Sequence, residues 1–299
     1  MSKTFGFGAV ALACVAGMAM ANPNSINSIS FNTYESFRNP SAVIPSTLNV
    51  NGSVQAASYN GTTPIAGLGA LNVREQYSAG TGGFANRHIA WLSNDGGATP
   101  YQITGTDSFQ VRSCFTLTTN HPTGVSAPIN SEAGFWIHNP RVNEQGNSFI
   151  DEGGVWLISN GTSFVGGASQ DFFLFGEGGF NNPSSPPIFF PGDVMEVSYT
   201  YYAPEALGPG QRARFEASVS NVTRGISVSS GLKNFNAIAG SNENGLNAGA
   251  TMGFRFQNQV FPLIDTDTST QVFNISVVPA PASAVLMGLA GLVATRRRR

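Results

Sequence analysis

Charge is scarce in this 299-residue chain: Asp, Glu, Lys and Arg together make up 11%. Helices draw on Glu, Lys, Ala and Leu, so the scarcity argues against a helical fold. Histidine occurs three times, at His88, His121 and His138, and none has the spacing of a metal motif with another His or Cys. No G-x-S-x-G run marks a serine-hydrolase elbow. Nor does any strand carry three carboxylates at period two, the arrangement that aims a glycosidase acid and nucleophile into one cleft. Asp193 and Glu196 are three apart and point to opposite faces, and the adjacent Asp151 and Glu152 diverge. A basic patch is missing too. Five of the 15 Lys and Arg residues (Lys3, Arg296, Arg297, Arg298 and Arg299) lie in the terminal segments, which leaves 10 against 17 acidic residues. That balance speaks against nucleic acid as a partner.

What the chain has in quantity is Gly, 35 residues, and Phe, 22 residues. Short stretches alternate with period two, as half-buried strands do. In "SFQVRSCFTL", Phe109, Val111, Phe115 and Leu117 share one face, and Arg112, Cys114 and Thr116 the other. "DVMEVSYTYY" sets Met195, Val197, Tyr199 and Tyr201 against Glu196, Ser198 and Thr200. "RARFEASVS" sets Ala213, Phe215, Ala217 and Val219 against Arg212, Arg214, Glu216 and Ser218. "GFWIH", "GVWLIS" and "DFFLFG" are apolar on both faces and suit the middle of a covered sheet. Asn-Gly pairs at Asn51, Asn60, Asn160 and Asn244 suit tight hairpins. These patterns predict an all-β, antiparallel two-sheet sandwich over residues 22–278, with 22–83 the less defined part. At fold level the strand lengths resemble a concanavalin-A-like jelly roll.

The two ends read differently. "MSK", an apolar stretch and "AMA" at Ala19, Met20 and Ala21 make residues 1–21 an export signal, with a signal helix, cut before Asn22. Cleavage there removes Cys14 and leaves Cys114 without a partner, a small residue expected to be buried. At the other end, residues 282–295 have no charge and no proline. As a helix they span about 21 Å, short of a roughly 30 Å hydrocarbon core. The four arginines after them hold that end on the cytoplasmic side.

Pro279, Ala280 and Pro281, then the apolar run, then Arg296, Arg297, Arg298 and Arg299, resemble the PEP-CTERM sorting signal of exosortase systems. Ala280 stands where that family usually has Glu. The resemblance covers residues 279–299. It implies a short C-terminal transmembrane helix, signal peptidase and an exosortase-type processing enzyme as partners, and delivery to the cell surface or extracellular matrix.

For the middle domain the expectation is a non-catalytic module that takes extracellular polysaccharide. Glu196, Arg214, Glu216 and Arg255 supply acceptors and forked donors, and Trp136 with His138 a stacking platform. A carbohydrate-active enzyme with an unrecognised site, or a purely structural surface protein, are the other readings. No cofactor is expected apart from calcium. Asp265 and Asp267 are the candidate ligands for it, and "SNDGG" and "SNENG" are oxygen-rich loops.

Overall fold

The computed structural model describes residues 25–34, 46–50, 53–56, 62–77, 87–104, 107–119, 130–142, 148–159, 163–166, 181–182, 192–207, 211–234, 245–259 and 266–280. In chain order the strands are β1 (Ser28–Tyr34), β2 (Ser46–Val50), β3 (Ser53–Ala56), β4 (Thr62–Ala66), β5 (Leu71–Tyr77) and β6 (Arg87–Ser93). They continue with β7 (Gln102–Ile103), β8 (Phe109–Thr119), β9 (Asn130–Val142), β10 (Ser148–Ser159), β11 (Ser163–Gly166) and β12 (Asn181–Asn182). Then follow β13 (Met195–Tyr202), a four-residue helix α1 (Pro204–Leu207), β14 (Arg214–Asn221), β15 (Ile226–Ser229), β16 (Lys233–Asn234), β17 (Ala250–Gln259) and β18 (Thr266–Pro279).

Two nine-stranded sheets result. The first runs β12-β11-β10-β9-β17-β6-β1-β4, with β7 beside β17. The second runs β15-β14-β13-β8-β18-β5-β2-β3, with β16 beside β14. The recorded strand pairs are antiparallel, and the chain crosses repeatedly between the sheets. The segment 22–83 is woven into both: β1 and β4 join the first sheet, and β2, β3 and β5 the second. β2 and β3 pair up to Val50 opposite Ser53. "DFFLFG", the signal segment and the C-terminal apolar run lie outside the described residues. Among those described, no helix is long and apolar enough to cross a membrane.

The core forms where the alternating faces meet. Phe109, Val111, Phe115 and Leu117 of β8 and Met195, Val197, Tyr199 and Tyr201 of β13 are all buried in it. Aromatic rings tie the sheets together: Phe115 of the second meets Phe254 of the first edge-on, with centroids 5.6 Å apart. Tyr199 stands 5.1 Å from Phe135 across the same gap, and 5.8 Å from Phe215. Such pairs each add roughly 0.5–1.5 kcal/mol beyond area burial. Complete burial pushes the Tyr199 hydroxyl well above the usual phenol range.

Two turns are built by short polar side chains. After β6, the Asp95 carboxylate accepts bonds from the Ser93 hydroxyl at 2.7 Å and the Thr99 amide and hydroxyl at 3.0 and 2.6 Å. Next to it, Gly97 has φ +91°, and a Cβ there would stand 2.3 Å from the Ile29 carbonyl oxygen, so only glycine fits. Between β14 and β15, the Asn221 side chain donates to Asp193 at 2.7 Å and Arg224 reaches the same oxygen at 2.6 Å. Asn221 begins an Asn-Val-Thr glycosylation sequon. It is buried and committed to that turn.

β18 occupies the interior of the second sheet, between β8 and β5. Its pairing with β8 shifts between Phe273 and Ser276, where Asn274 adopts φ +53°. Pairing resumes to Pro279, opposite Phe109, and the Ala280 amide donates to the Ser108 carbonyl at 3.1 Å.

Candidate functional site

Each sheet has an outer face, and the two differ in chemistry. On the first sheet, Phe135 and Ile137 of β9, Phe254 and Phe256 of β17, and Ala90 and Leu92 of β6 face the core. Period two therefore turns Gly134, Trp136 and His138, Gly253 and Arg255, and Ile89 and Trp91 outward. Strand register arranges them as a checkerboard. One row reads Gly154, Trp136, Gly253, Trp91, and the next reads Trp156, Gly134, Arg255, Ile89. Trp136 thus sits between two glycines, Gly154 and Gly253, and Arg255 sits beside Gly134. A Cβ at Gly253 would stand 2.4 Å from the Ala90 oxygen and 2.8 Å from the Trp91 Cα. The Arg255 guanidinium lies 4.3 Å over the Trp136 ring, and His138 meets Trp91 edge-on at 4.6 Å. A desolvated cation–π contact is worth about 2 kcal/mol.

This face is closed. Trp136 is 0% exposed, Arg255 2% and Trp91 3%. Trp136 and Arg255 are held as a packed unit away from solvent, and His138 is half-buried.

The outer face of the second sheet is polar and half-exposed, apart from Thr200, which is buried. β13 presents Glu196, Ser198, Thr200 and Tyr202, and β14 presents Arg214, Glu216, Ser218 and Ser220. Register sets Tyr202 opposite Arg214, Thr200 opposite Glu216, Ser198 opposite Ser218 and Glu196 opposite Ser220. β15 extends two rows with Ser229 and Ser227, and β8 adds Gln110, Arg112 and Cys114. One row therefore reads Ser229, Ser218, Ser198, Arg112, Ser276 across five strands. Its side chains repeat at the strand spacing of about 4.8 Å. Several are oriented by neighbours: Arg214 donates to Asn234 at 3.1 Å, Ser229 to Glu216 at 3.1 Å, and Gln110 to Thr200 at 2.9 Å.

Of the expected ligand residues, the structure thus groups Glu196, Arg214 and Glu216 on one sheet and sets Trp136, His138 and Arg255 on the other. β13 and β14 are neighbours, whereas β17 belongs to the opposite layer. One residue that the alternation left aside stands among the first group. Tyr202 is a half-buried ring on the outer face, between Arg214 and Thr200. Burial, and secondarily the charge of Glu216, raises its hydroxyl above the usual phenol range. The signal was available in "YTYY", because the last Tyr has opposite parity to Tyr199 and Tyr201.

Cys114 needs a correction. Expected to be buried, it sits half-exposed on this outer face, because even-numbered positions of β8 point away from the core. Asn274 donates to its sulfur at 3.9 Å, and desolvation raises the thiol above its usual range.

Asp265 lies outside the described residues. Arg74 engages Asp267 in a fork, its Nε donating to Oδ1 at 2.9 Å and its Nη2 to Oδ2 at 2.5 Å. Among the described residues no group of three or more His, Cys, Asp or Glu is placed to hold a metal. Asp95 of "SNDGG" spends its oxygens on its own turn.

No family model matches the chain, and no curated protein does. Among solved structures it is similar to lectin II from Ulex europaeus, at 12% identity, 83% of this chain, 98% of that chain and TM-score 0.38. It is also similar to the winged bean acidic lectin complexed with methyl-alpha-D-galactose, at 12% identity, 83% and 99% coverage and TM-score 0.39. A third is the marine PL-14 alginate lyase from Aplysia kurodai, at 9% identity, 70% and 83% coverage and TM-score 0.37.

Proposed function

We propose that this chain is an exported surface or matrix protein whose jelly-roll sandwich binds extended glycan without chemical turnover. The observation that carries the reading is the half-exposed outer face of β13 and β14. There Tyr202, Arg214, Glu216, Ser198 and Glu196, around the buried Thr200, form a field of one ring, one forked donor and several acceptors. Sugar hydroxyls pair with carboxylates and with Ser and Thr hydroxyls, and a uronic carboxylate pairs with Arg. The half-buried Tyr202 ring offers an apolar face for a pyranose to lie on. Export by the segment 1–21 and sorting by the tail 279–299 belong to the same reading.

Spacing favours binding over hydrolysis. Glu196 and Glu216 are the carboxylates that β13 and β14 present, yet Glu216 is level with Thr200, four residues along β13 from Glu196. That offset is roughly 14 Å of strand. Paired glycosidase carboxyls stand about 5–9.5 Å apart.

Calorimetry of the whole chain against a uronate polysaccharide and a neutral one tests the proposal. Binding is expected to at least one, and Tyr202→Ala with Arg214→Ala should weaken it tenfold or more, on the order of 1.4 kcal/mol. If the parent chain binds neither polymer, the glycan reading is lost and a structural surface protein remains.

A further inference from the structure

The outward side chains of β13 and β14 stand in register rows, and the rows differ in what they already hold. Three of them contain bonds of their own. Arg214 donates through Nε to Asn234, Gln110 donates to Thr200, Ser229 to Glu216, and Ser227 to Ser220 at 2.8 Å. The remaining row runs Ser218, Ser198, Arg112 across β14, β13 and β8. Among the described residues, none of these three side chains has a hydrogen-bond or ion-pair partner.

Arg112 is exposed, and its charge is permanent. Other arginines at the surface of this sheet are closed onto carboxylates: Arg74 forks Asp267, and Arg224 reaches Asp193. Arg112 has Ser198 as its cross-strand neighbour on β13. Glu196 lies one strand over and two residues along, and no ion pair joins the two. Glu216 already accepts the Ser229 hydroxyl. An extended arginine is longer than one strand spacing of about 4.8 Å, so Arg112 reaches over β13 from the flank. A guanidinium edge takes both oxygens of a carboxylate in parallel bonds, and neighbouring hydroxyls add donors to it. A neutral sugar makes no use of that charge.

A second fork stands on the other flank. Arg214 spends Nε on Asn234 and keeps its Nη nitrogens. It is level with Tyr202, whereas Arg112 is level with Ser198. Four residues along and two strands across make roughly 17 Å between their Cα positions. One sugar ring is too small to meet both. A polymer that repeats its carboxylate meets both while lying over β13 and β14.

We infer that the face takes a uronate polymer, with Arg112 and Arg214 each pairing with one of its carboxylates. The inference rests on the glycan reading above and adds to it the acidic class and Arg112.

The test is calorimetry of the full chain against polygalacturonate and polymannuronate, each beside its own methyl ester, which keeps the backbone and removes the charge. An acid polymer should bind about tenfold tighter than its ester, or more. Arg112→Gln should weaken binding of the acid roughly fivefold and narrow its lead over the ester. Arg74→Gln removes a cation of the same sheet that Asp267 already holds, and should change the affinity less than about twofold. An ester bound as tightly as its acid, or equal losses in Arg112→Gln and Arg74→Gln, overturns the acidic class and leaves the glycan face standing. Binding to none of the four polymers removes both.

Discussion

Gly253 shows how much one residue decides on the closed face. It lies between Trp91 and Trp136 in the register, and its missing side chain leaves the room their indoles occupy. A Cβ would collide with backbone of β6, which cannot swing aside as a long side chain can. Gly253→Ala is expected to cost about 3 kcal/mol in denaturant unfolding. A loss under 1 kcal/mol would mean the strands part easily there. Asp95 makes a prediction in pH. The Thr99 hydroxyl and amide, then the Ser93 hydroxyl, hold its carboxyl well below the usual carboxylate range. A depressed folded value contributes stability that is complete above the unfolded value of about 4 and lost as pH falls toward the folded one. Melting temperature should therefore fall less steeply below pH 4 in Asp95→Asn than in the parent. Parallel acid limbs would show that the turn does not favour the ionised form.

Strands are the scale at which the sequence is most legible. The alternation in "DVMEVSYTYY" and "RARFEASVS" assigns the core residues of β13 and β14, because a half-buried strand in an antiparallel sheet must alternate. The double-sided apolar stretch "GFWIH" places β9 inside its sheet, with both faces buried. Strand order is not readable this way. Period two says which residues share a face, but not which strand lies alongside, so β17 reads as an equal partner of β13 and β14 although it belongs to the other layer. The glycine before each large outer residue in "GFW", "GVW" and "GFR" is the local trace of the checkerboard, visible only once the pairing is known. β18 holds a feature that alternation also hides. Asn274 takes a left-handed conformation at the register shift, which Asn and Gly adopt readily and β-branched residues do not. Asn274→Gly should unfold within about 0.5 kcal/mol of the parent, and Asn274→Val should cost about 1–2 kcal/mol. Equal stability of the two variants would mean the bulge relaxes.

At the scale of the whole molecule, two sheets with one common core carry two unlike outer faces. The first sheet buries tryptophan, arginine and glycine outward of the core. The second leaves hydroxyls, carboxylates, Arg214 and the Tyr202 ring half-exposed to solvent. The account assigns glycan binding to the second face. Hydrogen–deuterium exchange of the full chain, with and without the polysaccharide found by calorimetry, reads this directly. The account predicts slowed exchange confined to β13, β14 and β15. Slowed exchange in β9 and β17 instead, or none in β13 to β15 at saturation, would contradict it.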